Sequence, residues 1–249
     1  MASNAILTEA YSQLADACEV QRRFLQYGAL EFKTLPYSAE CRQLGEVGGD
    51  CYDFIPLPHN QLAMAIGDAS GKGVAAALMI ASVQSSLRTA AVFTGADALA
   101  VVAAVNRQAH ASSVAGRYAT LFYGVFDGRT RTLQYVNAGH NPPMVIRRDG
   151  SVLWLVTGGV PVGMFAESAY TEGAVQLEPG DVVVAYTDGV IEALNSSGEE
   201  WGAEGLRKSA AKNREGSAEQ VVSAIFYAME EYADGCQTDD ATVAVLRVF

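Results

Sequence analysis

Four aspartates give this sequence its clearest indication of chemistry, because each stands beside glycine or at the end of a predicted strand. They lie in four short segments: Gly48-Gly49-Asp50, Gly67-Asp68-Ala69-Ser70-Gly71-Lys72-Gly73, Thr187-Asp188-Gly189 and Thr238-Asp239-Asp240. Strand ends let a sheet direct several side chains at one point, and glycine lets the backbone approach a ligand closely. Carboxylates without an accompanying cysteine cluster suit oxygen-seeking cations such as Mg²⁺ or Mn²⁺. The pattern therefore predicts a divalent-cation site made of Asp50, Asp68, Asp188 and Asp239.

For several other polar residues, a purely structural role is the alternative to a role in the chemistry of the site. An isolated Asp-Gly pair is most often a turn, so we interpret Asp127-Gly128 and Asp149-Gly150 as hairpin turns. Asp53 either supports a metal ligand or caps a strand. His140 lies between turn residues, and we predict that it stabilises its loop, with an acid–base role as the alternative. The Gly71-Lys72 pair does not form a P-loop, since that motif needs four residues between its glycines and a Ser or Thr after the Lys.

The predicted elements are strands joined by turns and helices that come in consecutive pairs. The predicted strands are 53–57, 62–66, 118–126, 132–137, 144–146, 152–155, 175–177, 182–186 and 241–248, and the predicted helices after the first are 74–91, 96–109, 203–212 and 218–232. Hairpins in series favour antiparallel sheet, and paired helices argue against a doubly wound parallel sheet. We therefore predict a layered α+β sandwich that occupies residues 32–249 as one domain.

The first segment has the stripe of a helix that packs on another helix. Apolar residues alternate at spacings of four and three, with Gln21 as the one polar member; they are Leu7, Tyr11, Leu14, Cys18 and Leu25. Gly28 is predicted to end this helix. The stripe packs either on this chain's own domain or on a second copy, and its strict spacing favours the latter. We predict that residues 1–31 are a helical linker or dimerisation segment, with a homodimer formed through residues 5–27.

Composition excludes several classes of protein. The net charge of −11 argues against nucleic-acid binding, which requires Lys and Arg to neutralise phosphates. The four cysteines show no CxxC spacing, so neither a disulfide framework nor a thiolate zinc site is expected. No signal peptide or membrane span is predicted, and the chain is expected to be cytoplasmic. An acidic protein that handles phosphate would repel its substrate, and bound divalent cations would reverse the local field.

The aspartate segments, taken in order, resemble the metal-dependent PPM-type protein phosphatases, specifically their bacterial SpoIIE/RsbU-like branch. The residues that carry the resemblance lie in five segments: Glu46 to Phe54, Gly67 to Gly73, Asn137 to Pro142, Leu177 to Val190, and Asp239 to Thr242. Each motif is weak alone, but five in this order over residues 40–249 are specific. The resemblance implies two antiparallel β-sheets packed face to face and flanked by α-helices, an α-β-β-α sandwich.

The resemblance also implies a site and a reaction. Two Mn²⁺ or Mg²⁺ ions would lie between the sheets, with Asp68 bridging both. Asp50 and the Ala69 backbone carbonyl would complete the coordination of one ion, and Asp188 and Asp239 would bind the other. The implied reaction is hydrolysis of phosphoserine or phosphothreonine on a partner protein by a metal-activated water, without a covalent phosphoenzyme. Relatives of this branch often act on an anti-sigma-factor antagonist, a STAS-domain protein, in a bacterial regulatory switch.

The sequence departs from the wider family at two points. Eukaryotic relatives have a His two residues after the bridging Asp, whereas this chain has Ser70, so the general acid is unassigned. No Arg stands beside Asp50 to bind phosphate. Two alternatives stay open: a catalytically silent binding module with the same fold, and a metal-dependent hydrolase of small phosphoesters.

Overall fold

The computed structural model describes residues 2–26, 36–114 and 116–249, and within α1 it describes the side chains of residues 9, 12–24 only. The helices are α1 (Ala2–Gln26), α2 (Val74–Thr94), α3 (Ala98–Ser112), α4 (Asp188–Ile191), α5 (Gly202–Asn213) and α6 (Ala218–Tyr232). The strands are β1 (Tyr37–Arg42), β2 (Asp50–Leu57), β3 (Gln61–Ala69), β4 (Ala119–Asp127), β5 (Thr132–Ala138), β6 (Met144–Ile146), β7 (Val152–Trp154), β8 (Gly158–Gly159), β9 (Gly173–Gln176), β10 (Val182–Tyr186) and β11 (Ala241–Arg247).

The strands form two sheets. The first has the order β1-β11-β10-β6-β7, and the second has the order β2-β3-β4-β5-β8, with β9 also paired to β5. All pairs are antiparallel except β5 with β8. The predicted sandwich is confirmed, because one apolar cluster lies between the sheets and one lies under the helices on each outer face.

Alternation along the strands explains this layering. In β3, for example, Leu62, Met64 and Ile66 pack toward the other sheet, whereas Ala63 and Ala65 belong to the cluster beneath α2 and α3. In β10 and β11 the same alternation divides residues between the middle layer and the layer under α5 and α6. Strands β3, β10 and β11 carry apolar side chains on both faces because one face packs on the other sheet and the opposite face packs under helices.

Two details of the predicted hairpins differ in the structure. The consecutive strands 175–177 and 182–186, which flank Pro179-Gly180, do not form a hairpin, since β9 pairs with β5 and β10 pairs with β6 and β11, in different sheets. Gly128 has an ordinary φ, and the positive φ of that hairpin falls on Arg131. A Cβ at Gly128 would overlap Asn60 Nδ2 and lie 3.1 Å from the Asn60 carbonyl oxygen, so a larger residue there would require the Asn60 side chain to move. Gly150 does have the predicted positive φ of 84°.

Helix α2 is the one helix among the described residues whose length and apolar composition could span a membrane. Part of that composition belongs to the core, since Ile80, Val83 and Leu87 are buried against the second sheet and α3, whereas Leu78, Val92 and Phe93 are exposed. An apolar helix of this kind is typical of the core of a globular domain.

Helix α1 packs on this domain through part of its predicted stripe. Cys18 forms a small buried cluster with Val47 and Ala77. The main-chain carbonyl of Phe24, in the last turn of α1, accepts a hydrogen bond from Arg88 Nη2 at 2.5 Å. The side chains of Leu7, Tyr11 and Leu25, and residue Gly28, lie outside the described residues. The division at residue 31 stays a prediction.

Candidate active site

The four aspartates come from both sheets. Asp50 is the first residue of β2 and lies directly opposite Asp68 in the β2–β3 register. Asp188 begins α4 immediately after β10, and Asp239 lies two residues before β11. Since β10 and β11 belong to the first sheet, each sheet contributes two aspartates.

Hydrogen bonds show that these strand ends meet at one edge of the sandwich. Asp50 is 2% exposed, and its Oδ2 accepts from the hydroxyls of Thr187 and Thr242, each at 2.7 Å. Thr187 precedes Asp188, and Thr242 follows Asp239 by three residues. Asp50 therefore joins the second sheet to the two segments of the first sheet that carry the other aspartates.

Gly189 also helps to bring the segments that carry Asp188 and Asp239 together. A Cβ added at Gly189 would overlap the Asp240 carbonyl and would lie 3.3 Å from the Asp239 Cβ. Only glycine lets the start of α4 come this close to the segment before β11.

The carboxylates are electrostatically coupled. Burial, together with the nearby carboxylates Asp188, Asp239 and Asp240, raises the pKa of Asp68 to about 7. Burial also raises the pKa of Asp50 well above its ordinary value, with a further contribution from Asp68. The pKa of Asp188 is raised by burial and by Asp239. A bound cation would relieve this repulsion, because a nearby positive charge favours the ionised carboxylates.

The donor atoms fit a hard divalent cation. A Cβ at Gly49 would lie 3.3 Å from the Ala69 carbonyl oxygen and 3.4 Å from Asp68 Oδ1, so both oxygens face the side that glycine leaves open. Within the described ranges, however, no three His, Cys, Asp or Glu side chains converge as a ready-made metal-binding group. The ligand assignment of Asp50, Asp68, Ala69, Asp188 and Asp239 therefore stays a prediction.

Asp239 makes its contact with a lysine. Lys72 Nζ lies 2.6 Å from Asp239 Oδ2, and the Lys72 side chain is 66% exposed. Exposed ion pairs contribute little free energy, so this contact can give way to a cation at low cost.

Asp240 has a role that the sequence analysis did not assign. Its Oδ2 accepts from the Gly49 N–H at 2.7 Å, and its Oδ1 accepts from the Leu44 N–H at 2.8 Å. The carboxylate thus holds the glycine loop that leads into Asp50. In the sequence, the second of the two consecutive aspartates, Asp239 and Asp240, was the feature that could have indicated this role.

Gln21, the polar member of the α1 stripe, contacts the same loop. Its Nε2 donates to the Gly48 carbonyl at 2.7 Å, and its Oε1 accepts from the Gly48 N–H at 3.0 Å. The side chain is buried, at 7% exposure. A position that interrupts an apolar helical stripe was therefore a signal for a buried polar contact.

His140 and Asp53 occupy structural positions. Thr120 Oγ1 lies 2.8 Å from His140 Nδ1, and the His140 N–H donates to Asn137 Oδ1 at 2.7 Å. Burial lowers the pKa of His140 to about 4, so the imidazole is neutral. Asp53 neither caps a strand nor contacts a predicted ligand; it accepts from Arg88 Nε of α2 at 2.5 Å.

The two Asp-Gly turns keep their carboxylates away from the cluster. Asp127 Oδ1 accepts from the Arg129 N–H at 2.8 Å, and Asp149 Oδ1 accepts from the Ser151 N–H at 2.8 Å. Both pKa values are lowered. For Asp127, burial acts to raise the pKa but is outweighed by the hydrogen bonds from the Arg129 and Thr130 N–H groups and the Gln61 side chain, and for Asp149 the hydrogen bonds from Ser151 lower the pKa. Both predicted turns are thus present.

Comparisons with known proteins agree with this arrangement. The sequence model of Stage II sporulation protein E (SpoIIE) matches residues 58–249. The chain is 29% identical to Protein IcfG of Synechocystis sp. over 94% of its length, and it spans 41% of IcfG. It is 26% identical to phosphoserine phosphatase RsbU of Bacillus subtilis over 97% of its length, and it spans 72% of RsbU.

Among solved structures, the SiaA-PP2C domain of Pseudomonas aeruginosa has a TM-score of 0.85 to this chain at 22% identity, over 98% of both chains. At this identity the likeness establishes the fold, and the family match covers most of the chain. The chain therefore belongs to the SpoIIE family of PPM-type serine/threonine protein phosphatases.

Proposed function

We propose that this chain hydrolyses phosphoserine or phosphothreonine on a partner protein, with two divalent cations, Mn²⁺ or Mg²⁺, held by the predicted ligands. The observation that carries the proposal is the coupled acid cluster at the edge between the sheets, centred on Asp68. An acid with a pKa of about 7 among other carboxylates is costly to keep ionised. Such a cluster is expected at a functional site rather than in a purely structural scaffold.

Each residue has a distinct part in the proposal. The Asp68 carboxylate and the Ala69 carbonyl face the open side of Gly49 and would bind one cation together with Asp50. Asp188 and Asp239 would bind the second. The hydroxyls of Thr187 and Thr242 fix the orientation of the Asp50 carboxylate.

Bound in pairs, such cations acidify a water molecule and neutralise charge on the phosphoryl oxygens. Phosphate monoesters are among the slowest substrates to hydrolyse in water, so a barrier reduction on the order of 20 kcal/mol is required. The protein's contribution is to hold oxygen donors from both sheets in one place.

The class of substrate is supported by similarity. RsbU is named a phosphoserine phosphatase, which supports phosphoserine on a regulatory protein as the substrate. A STAS-type anti-sigma-factor antagonist is the specific partner that the resemblance suggests, and action in the cytoplasm goes with it.

Hydrolysis of p-nitrophenyl phosphate tests the reaction. We expect turnover with millimolar Mn²⁺ or Mg²⁺, because sites that keep several waters bind these ions loosely, and loss of turnover with EDTA. Full activity after metal stripping would contradict the mechanism. Absence of turnover under all metal conditions would favour a silent binding module.

A panel of phosphoproteins tests the substrate. We expect release of phosphate from a phosphoserine STAS-domain protein at a higher kcat/KM than from free phosphoserine or nucleotides. The reverse order would favour a hydrolase of small phosphoesters. Metal binding is checked independently of turnover, since Mn²⁺ should raise the Tm of the unmodified chain more than that of Asp68→Asn.

A further inference from the structure

A cavity of about 300 Å³ opens between α2 and the segment that follows α3. Its walls include Leu78 and Met79 of α2, Val114 after α3, and Arg117. Leu78 is 69% exposed and Val114 is 78% exposed. Exposed apolar side chains grouped around a cavity are typical of a binding surface. We call this feature the α2–α3 groove.

Arg117 connects the groove to the candidate active site. Its Nη1 donates to the Ser70 carbonyl at 3.0 Å, in the loop that follows Asp68 and Ala69. The guanidinium lies against Gly71, where a Cβ would be 2.5 Å from Nη1. Gly71 also has a φ of 96°, a conformation that favours glycine, and its missing side chain leaves room for the guanidinium. The contact therefore attaches Arg117 to the loop that follows Asp68 and Ala69.

The charge of Arg117 is not compensated by a carboxylate among the described residues. Its neighbour Lys72, by contrast, pairs with Asp239. A guanidinium has five N–H donors in a fixed fork, and one contact with a carbonyl leaves most of them available. In a chain with a net charge of −11, an unpaired and half-buried cation at an acid-rich edge suits an anionic ligand.

We propose that the α2–α3 groove binds the polypeptide of the phosphoprotein substrate, with an apolar side chain next to the phosphoserine in the cavity and the phosphoryl group contacted by Arg117. This inference rests on the proposed function. The substrate polypeptide is the expected occupant because the apolar cavity and the unpaired Arg117 guanidinium adjoin the loop that carries Asp68. Arg117 also supplies the phosphate contact for which the sequence shows no arginine beside Asp50.

The first experiment uses inorganic phosphate as a competitive inhibitor of p-nitrophenyl phosphate hydrolysis. Arg117→Ala is expected to raise the inhibition constant of phosphate about 10- to 100-fold, because a charge-assisted hydrogen bond is lost. Arg117→Lys should recover part of this loss. The Mn²⁺-induced increase in Tm should stay unchanged in both variants. A lower Mn²⁺ response with unchanged phosphate inhibition would assign Arg117 to loop structure and overturn its proposed contact.

The second experiment compares phosphoserine heptapeptides that carry Leu or Asp beside the phosphoserine. Leu78→Ser and Val114→Ser are expected to lower kcat/KM for the Leu peptide about tenfold more than for p-nitrophenyl phosphate, mainly through KM. Both side chains are exposed, so the variants should fold, which their Tm would verify. Phe93→Ser is the matched control, since Phe93 is on the same helix, 85% exposed and outside the groove.

The outcomes separate this inference from the proposed function. If the unmodified chain hydrolyses neither p-nitrophenyl phosphate nor any peptide with Mn²⁺, the proposed function fails. If it is active and the Leu78, Val114 and Phe93 variants behave alike on every substrate, the groove is not a substrate site. If Leu78→Ser changes the mass in light scattering while peptide kinetics are unchanged, the groove is an interface between copies of this chain.

Discussion

Aspartates in this chain fall into two electrostatic environments. Asp68 and Asp188 are half-buried among other carboxylates and have raised pKa values. Asp127 and Asp149 accept hydrogen bonds from the N–H groups of their own turns, and their pKa values are lowered. In the first environment, a bound cation would relieve the repulsion between carboxylates. In the second environment, each carboxylate already accepts hydrogen bonds from its own turn.

We therefore expect Asp68→Asn and Asp188→Asn to reduce phosphatase turnover on the order of a thousandfold or more, because each removes a cation ligand. Asp127→Asn and Asp149→Asn should change turnover less than about twofold. Steady-state hydrolysis of p-nitrophenyl phosphate with Mn²⁺ measures both pairs. In metal-stripped protein, Asp68→Asn should also raise Tm, since it removes a buried repulsive charge. Similar behaviour of the two pairs would show that the site is misassigned.

His140 is expected to make a contribution to stability that is lost in acid. Its pKa is about 4 in the folded chain, against an ordinary value of 6.5, so at this residue the unfolded state binds more protons between these values. The contribution of His140 to stability therefore decreases as pH falls from about 6.5 to 4, by about 3 kcal/mol in total at 1.36 kcal/mol per pKa unit, whereas the raised pKa of Asp68 contributes with the opposite sign over this range. His140→Asn keeps a polar atom near Thr120 and should remove the His140 contribution, which is measured as the difference between the two pH profiles.

Urea unfolding at pH 7 and pH 5 measures the effect. His59→Asn is the control, because His59 is exposed in a turn with a φ of 63°, which Asn tolerates. An identical pH profile for His140→Asn and the unmodified chain would show that another group causes the acid sensitivity.

At the scale of elements, α1 is attached to α2 and to the loop before Asp50 by specific polar contacts. Gln21 satisfies both the N–H and the carbonyl of Gly48, and Gln84 and Arg88 of α2 donate to the Phe24 carbonyl. A buried peptide group that loses its partner costs about 1–3 kcal/mol. The position of α1 and the geometry of the Gly48–Asp50 segment are therefore coupled.

We expect Gln21→Ala to increase the Mn²⁺ concentration for half-maximal activity about five- to tenfold, because the loop before Asp50 becomes less ordered. Titration of activity with Mn²⁺ measures this, and kcat at saturating Mn²⁺ should change less. Gln13→Ala is the matched control, since Gln13 is exposed on the same helix. An unchanged Mn²⁺ requirement in Gln21→Ala would show that α1 is attached to the loop without influencing it.

At the scale of the whole molecule, the predicted homodimer competes with packing of α1 on its own domain. Cys18 and Gln21 are already buried against this chain, whereas Leu14 is partly exposed. A dimer formed through residues 5–27 would therefore use mainly the N-terminal part of the stripe.

Leu14→Glu would place a charge in such an interface, and we expect it to convert dimers to monomers in light scattering at tens of micromolar. Metal-dependent turnover should be altered but retained. A monomeric unmodified chain at the same concentration would contradict the predicted pairing.

Local patterns determined much of this protein. Alternation of apolar residues and turn residues such as Asp149-Gly150 specify strands and hairpins through neighbours in sequence, and aspartate beside glycine at strand ends marked the candidate site. Tertiary structure alone decided which distant groups meet. Asp240 reaches Gly49 from 191 residues away, Gln21 reaches Gly48 from 27, and Arg117 reaches Ser70 from 47. The sequence shows that Gln21 interrupts an apolar stripe, but it does not show the partner of this or the other contacts, because a buried hydrogen bond depends on where the chain returns in space.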